Sequence, residues 1–179
     1  GDAASRPLRF WDILRSCIDE LAPIHQELLQ RGWVLDGRIA VAGLSMGGFV
    51  TLGALVRYPW LQAGVSWMGS AYFQDLARTL YPPQGAYNEQ PADRHESHMV
   101  RMCLYDPSTQ LERLANRPLL LWHGVRDEVV PFSESARLHA QLVRQGLAQQ
   151  VQLMADPNAT HKLPVGGAQA GVDFLRRVL

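Results

Sequence analysis

The sequence predicts an α/β protein built on a mainly parallel sheet flanked by helices. Three observations carry this expectation. Helical and extended patterns alternate along most of the chain, as they do when strands are joined by helical crossovers. The run Arg38-Ile39-Ala40-Val41-Ala42 is apolar throughout after its first residue, which suits a strand covered on both faces. That run passes through Gly43-Leu44-Ser45-Met46-Gly47-Gly48 directly into a helical pattern, giving strand, sharp turn and helix within about twenty residues.

Each element has its own signal. Residues 7–31 form one long helix, with Phe10, Leu14, Cys17, Ile18, Leu21, Ile24 and Leu28 recurring at steps of three and four. Gly32 stops it, Asp36-Gly37 is a turn, and residues 38–44 form the first strand. A helix from Met46 ends at Tyr58-Pro59, and residues 61–68 read as the second strand. Residues 118–122, centred on Leu119-Leu120-Leu121, are the third. A helix over 131–145 puts Phe132, Leu138, Leu142 and Val143 on one face and closes at Gly146. Residues 151–154 are a short fourth strand. A terminal helix over 168–179 turns Val172, Leu175, Val178 and Leu179 inward. The stretch 69–114 breaks the alternation. It is rich in Tyr, Pro, Gln, Asn and His, and its helical patterns at 73–80 and 98–104 favour an ordered cap or lid inserted in a single domain spanning 1–179.

Composition excludes several function classes. The 179 residues carry 17 basic and 17 acidic side chains, so the net charge of zero gives no electrostatic case for nucleic acid or an anionic membrane. No run is long and apolar enough for a membrane span and no signal peptide opens the chain, so the expected location is cytoplasmic. Cys17 and Cys103 lie in apolar helical patterns and read as buried free thiols, with no disulfide framework.

Gly43-Leu44-Ser45-Met46-Gly47 is a G-x-S-x-G pattern in the strand–turn–helix context that a nucleophile elbow requires. The turn is so tight that Cβ atoms two residues either side of the serine are expected to collide, and glycine at 43 and 47 removes them. Ser45 is thus the candidate nucleophile. An acid is expected on a later loop at the end of a strand, and Trp122-His123-Gly124-Val125-Arg126-Asp127-Glu128 supplies Asp127, with Glu128 as its adjacent rival. The base must follow. His139 lies mid-helix, whereas His161 lies in the loop between the last strand and last helix, so His161 is the candidate.

These motifs, Gly43 to Gly48, His123-Gly124-x-x-Asp127-x-x-Val130-Pro131 and the late His161, resemble the dienelactone-hydrolase and prolyl-oligopeptidase-like branch of the α/β-hydrolases. Gly1-Asp2-Ala3-Ala4, Phe10-Trp11-Asp12-Ile13-Leu14, Met68-Gly69-Ser70-Ala71-Tyr72-Phe73 and the stretch Arg117 to Gly124 resemble, within it, the YjfP-type bacterial carboxylesterases. The resemblance implies a partial α/β-hydrolase fold and a serine esterase acting on short acyl esters with no cofactor or metal. It also implies that the Met46 N–H is one oxyanion donor. Trp67, Tyr72 and Phe73, beside Met68, are candidates to line a substrate pocket, with core packing as the competing reading. A peptidase or acyltransferase would use the same three residues.

The resemblance also implies several strands ahead of residue 38 and an early His-Gly loop giving a second oxyanion N–H. Only a helix precedes 38–44 here, so the chain reads as the C-terminal portion of a hydrolase. Strand 38–44 is then expected to expose an apolar edge, prone to homo-oligomer formation or strand-edge pairing, and a truncated, inactive fragment is the alternative. His95-Glu96-Ser97-His98 lacks a third ligand and reads as polar lid surface rather than a metal site. His123 is expected to hold the acid loop and His25 to be structural. Ser66 and Ser70 lack flanking glycines on both sides.

Overall fold

The computed structural model describes residues 6–80, 101–115 and 117–179. The opening Gly1 to Ala4, the Tyr81-Pro82-Pro83 stretch, His95 to His98 and the start of the expected 98–104 helix lie outside the described residues.

Four strands form one parallel sheet in the order β1-β2-β3-β4: β1 Ala40–Leu44, β2 Ala63–Trp67, β3 Leu119–Gly124 and β4 Val151–Asp156. Helix α1 covers Arg6–Gln30, α2 Met46–Arg57, α3 Phe73–Leu80, α4 Phe132–Arg144 and α5 Val165–Val178. Leu119 and Leu121 of β3 join Leu52 and Leu55 of α2 and Leu138 and Leu142 of α4 in the main core. Leu120, of opposite parity, packs with Val65 and Phe174 beneath α5. Helices on both faces therefore explain why β3 is buried at every position.

Helix α1 lies on α2 through Trp11, Leu14 and Ile18, which pack with Phe49, Phe73, Met102 and Tyr105. It runs unbroken past Pro23, which has no N–H to give the Asp19 carbonyl. The Tyr58 hydroxyl donates to that carbonyl instead, at 3.5 Å. Trp11 is the main anchor that the three-and-four pattern overlooks, and Ile24, expected inward, is half exposed.

Three expectations about faces are corrected. Val143 of α4 is exposed. On α5 the buried positions are Gly167, Gly171 and Phe174, while Val172 and Leu179 are exposed. The glycines let α5 lie against indoles: a Cβ at Gly167 would sit 2.8 Å from the Trp122 ring, and one at Gly171 would overlap Trp67. Cys103 is exposed and Cys17 half-buried, so the expectation that both are buried is corrected.

Strand β1 is a sheet edge, with Ala42 and Leu44 exposed, so it is not covered on both faces. Ile39 and Val41 face the main core. The Ile39 carbonyl accepts from Gln62 N and the Ser45 N–H donates to Trp67 O, both at 2.8 Å. The alternation of a parallel ladder then points the N–H and C=O of Ala40, Ala42 and Leu44 away from β2. Among the described residues nothing pairs with them.

Candidate active site

All three candidate side chains leave the carboxyl ends of strands, where open parallel sheets place their sites. Ser45 follows β1, Asp127 lies on the loop after β3, and His161 on the loop after β4.

Ser45 has φ 54° and ψ −117°, a conformation L-residues rarely adopt. The strain is held on three sides. Its N–H is anchored to Trp67 O, its carbonyl accepts from Gly48 N and Phe49 N, and a Cβ at Gly43 would overlap the Gly47 carbonyl. Glycine at 43 is thus required by the turn. Glycine at 47 is not: a Cβ there would meet nothing within 4 Å, so the expectation that both flanking glycines relieve collisions holds for one. Gly47 contributes the backbone that Gly43 must clear.

The three side chains form one hydrogen-bonded chain. His161 Nε2 lies 2.8 Å from Ser45 Oγ, and His161 Nδ1 lies 2.7 Å from Asp127 Oδ2. A carboxylate accepts, so Nδ1 carries the proton and the Nε2 lone pair faces the serine hydroxyl. The Asp127 side chain is fully buried while the His161 ring is about one-fifth exposed at 22%. Glu128 is exposed and His139 lies on α4, so neither rival enters the chain.

Asp127 is held as an anion. Burial alone would raise its pKa, but the His161 hydrogen bond and the Val130 and Val129 N–H groups, both 2.9 Å from Oδ1, outweigh it and hold the carboxyl below its ordinary value. The loop is fixed from beneath by His123, which is fully buried. His123 Nε2 donates to Val130 O at 2.8 Å, so Nδ1 is the acceptor for the Ser135 hydroxyl at 2.7 Å. Nε2 also lies 3.4 Å from Asp127 Oδ2. Burial pushes the His123 pKa down despite these neighbours, and the ring is neutral. The acid loop and the histidine loop touch through backbone. Val125 N donates to Asp156 O, Arg126 N donates to Ala159 O, and a Cβ at Gly124 would stand 2.5 Å from Ala159 O. The Asp156 carboxylate accepts from the Asn158 and Ala159 N–H groups and so shapes the turn leading to His161. The Asp156-Pro157-Asn158 turn chemistry is legible in sequence. The contact at Gly124 is not.

Both depressed pKa values have the same consequence for folding. The unfolded chain binds protons at His123 and Asp127 before the native chain does, so stability is complete above the ordinary histidine value of about 6.5 and falls as pH drops below it. Asp127 adds a further loss below the ordinary carboxylate value near about 4. The melting temperature is expected to fall between pH 7.5 and 5, and His123→Gln to flatten that interval. A melting temperature that rises on acidification over the same range contradicts the His123 shift.

Of the substrate-pocket candidates, Tyr72 and Phe73 are placed in the core and Trp67 is partly buried against it. Phe73 is fully buried against Trp11 and Phe49. Tyr72 is 2% exposed, with its hydroxyl on Gln141 and Arg137 stacked on its ring. Trp67 donates its indole N–H to Gly167 O and packs under α5. Their burial follows from packing between layers. Met46 is the first residue of α2, so its N–H has no intrahelical acceptor. The Ser66 hydroxyl bonds Gly48 O and the Ser70 hydroxyl bonds Glu134. His25 is buried and stacked on Trp60 at 3.9 Å, a packing role. Among the described residues no group of three or more His, Cys, Asp or Glu is placed to hold a metal ion, and no helix is long and apolar enough to cross a membrane. The His95 to His98 motif lies outside the described residues.

A family model described as the prolyl oligopeptidase family matches residues 15–179. The chain is 36% identical over 179 residues to Esterase YjfP of Escherichia coli (strain K12), covering 100% of this chain and 72% of that protein. It is 38% identical over 176 residues to a putative esterase, YitV, of Bacillus subtilis (strain 168), covering 95% and 69%. Among solved structures, esterase PE8 superposes with a TM-score of 0.64 at 19% identity, over 97% of this chain and 66% of its own. TT1662 from Thermus thermophilus gives 0.68 at 22% identity, over 89% and 61%. At these identities the structures bear on the fold alone. The chain thus spans about two thirds of the length of these four proteins.

Proposed function

The chain belongs to the prolyl oligopeptidase family, and on that premise we propose that it is a serine hydrolase that cleaves carboxylic esters of short acyl groups through an acyl-enzyme on Ser45. The observation that carries the reading is the unbroken run of hydrogen bonds from Ser45 Oγ through His161 to Asp127. The similarity, along 100% and 95% of this chain, to proteins named as an esterase and a putative esterase supports the choice of substrate class.

The residues have distinct roles. His161 Nε2 takes the hydroxyl proton as Ser45 Oγ bonds to the ester carbonyl carbon. The carbonyl oxygen gains the negative charge, and the Met46 N–H, at the positive end of α2, donates to it. Loss of a single such donor typically removes about 3–4 kcal/mol of transition-state stabilisation. His161 then gives its proton to the leaving alcohol, the acyl group stays on Ser45, and water activated by the same ring releases the acid. Asp127 fixes the tautomer and stabilises the imidazolium. No cofactor enters these steps. The excursion 69–114 is read as a cap or lid insertion within a single domain spanning 1–179, and the proposed location is cytoplasmic. Purified chain is expected to hydrolyse p-nitrophenyl acetate faster than the octanoate ester and to leave aminoacyl p-nitroanilides intact. Cleavage of the anilides in preference to the esters would favour the peptidase reading instead.

The open edge of β1 supports a second element of the proposal, pairing with another copy of the chain. It displays six backbone polar groups and carries no charged residue in Ala40–Leu44. Ala42→Lys puts a charge at the centre of that edge and is expected to shift the chain from oligomer to monomer in size-exclusion chromatography. A parent chain already monodisperse as a monomer contradicts edge pairing.

A further inference from the structure

Ser45 is one of two non-glycine residues with positive φ among those described; the other is Met68, at φ 52°. Met68 occupies the equivalent place on the next strand. Leu44, Trp67 and Trp122 lie in register as one row across β1, β2 and β3. Ser45 and Met68 each stand one residue beyond that row. Each donates its N–H to the row's carbonyl on the next strand: Ser45 to Trp67 O at 2.8 Å, Met68 to Trp122 O at 2.9 Å. The two strained turns are therefore linked in series, from β1 to the strand that carries the acid loop.

The link is reinforced by close packing. A Cβ at Gly69 would stand 2.5 Å from the Gly48 carbonyl carbon and 2.6 Å from Ser66 Oγ. A Cβ at Gly48 would stand 2.9 Å from Gly69 Cα. The Ser66 hydroxyl donates to Gly48 O at 3.2 Å, inside the same contact. The first turn of α2 thus rests, backbone on backbone, on the turn that ends β2. Met68 itself is fully buried. A buried methionine in a left-handed conformation is retained only where the surroundings over-determine it.

We propose that the Met68–Gly69 turn is a positioning element for the nucleophile: it sets the height of the first turn of α2, and with it the direction of the Ser45 hydroxyl and the Met46 N–H. None of its residues touches substrate. The turn acts through the Trp67 carbonyl and the Gly48 backbone. The activity readouts rest on the hydrolase reading; the backbone readout below does not.

The test compares Gly69→Ala with Leu142→Ala, a core truncation on α4 far along the chain from this turn. Two quantities are read on each: the rate of fluorophosphonate labelling per folded molecule, and hydrogen-exchange protection of the Ser45 amide. Gly69→Ala forces α2 to shift and is expected to slow labelling about 100-fold, the scale of an ångström misplacement. It should also lower kcat with little change in KM and expose the Ser45 amide to exchange. Leu142→Ala is expected to lower the melting temperature and leave both quantities alone. Ser66→Ala removes only the Gly48 tether and is expected to lower kcat several-fold at unchanged KM, which reads the same device if Gly69→Ala does not fold. Equal labelling and equal Ser45 protection in Gly69→Ala and Leu142→Ala overturn the proposal, as does full kcat in Ser66→Ala. If the parent chain does not label but Gly69→Ala still loses Ser45 protection, the hydrolase reading fails and the positioning role stands.

Discussion

Ser45→Ala is expected to give a folded chain that has lost ester hydrolysis, with kcat lower by about 10⁶-fold, the scale seen when a triad nucleophile is removed. The loss is large because neither of the serines at the neighbouring strand end can take over. Ser66 is 1% exposed and committed to Gly48 O, and Ser70 is 1% exposed and committed to Glu134. Water attack assisted by His161 alone leaves only residual turnover. The fold survives because the Ser45 side chain makes one hydrogen bond, to His161, worth about 1 kcal/mol. Its backbone anchors to Trp67, Gly48 and Phe49 remain. Alanine at φ 54° carries the same strain that serine does. Turnover of p-nitrophenyl acetate, with circular dichroism on the same sample, checks both halves. Turnover near the parent level assigns the activity elsewhere.

Gly43→Ala and Gly47→Ala are expected to differ sharply, although G-x-S-x-G treats the two positions alike. A methyl at 43 would overlap the Gly47 carbonyl, which is backbone and has no side-chain freedom to yield. The elbow must open, moving Ser45 off the 2.8 Å contact with His161, and a shift of about 1 Å is enough for a 10²-fold loss. A methyl at 47 meets open space within a helix whose φ it does not strain. It replaces a helical glycine, which favours the helix by up to about 1 kcal/mol. Gly43→Ala should therefore lose at least about 100-fold in kcat/KM and several degrees in melting temperature. Gly47→Ala should keep its stability or gain. Equal losses at the two positions would mean that the turn is not tightened by this one contact.

Local signals in the sequence carried most of the architecture, because the elements at the centre of the sheet have the periodicity their burial demands. Strand β3 is apolar at consecutive positions since α2 and α4 cover one face and α5 the other. The three candidate residues were legible for a related reason: a serine between close-set glycines, an acid after an apolar strand and a histidine in a late loop each occupy a strand's carboxyl end. The illegible features depend on long-range packing. The inward face of α5 is made by Gly167 and Gly171 against two tryptophans, which no hydrophobic pattern on the helix announces. Tyr72 and Phe73 look like pocket aromatics in a line of text, yet they are buried between α1, α2 and α4. Gly124 and Gly69 each permit a backbone approach to a residue distant in sequence, Ala159 and Gly48. Such approaches depend on how loops and layers meet, which no single segment encodes.

The most direct measurement is to treat the folded chain with a fluorophosphonate at neutral pH and locate the adduct by mass spectrometry. One adduct is expected, on the peptide that contains Ser45, formed rapidly by the parent chain and not by His161→Ala. A folded chain that takes no label, or takes it at a residue other than Ser45, contradicts the assignment of Ser45 as a nucleophile activated by His161.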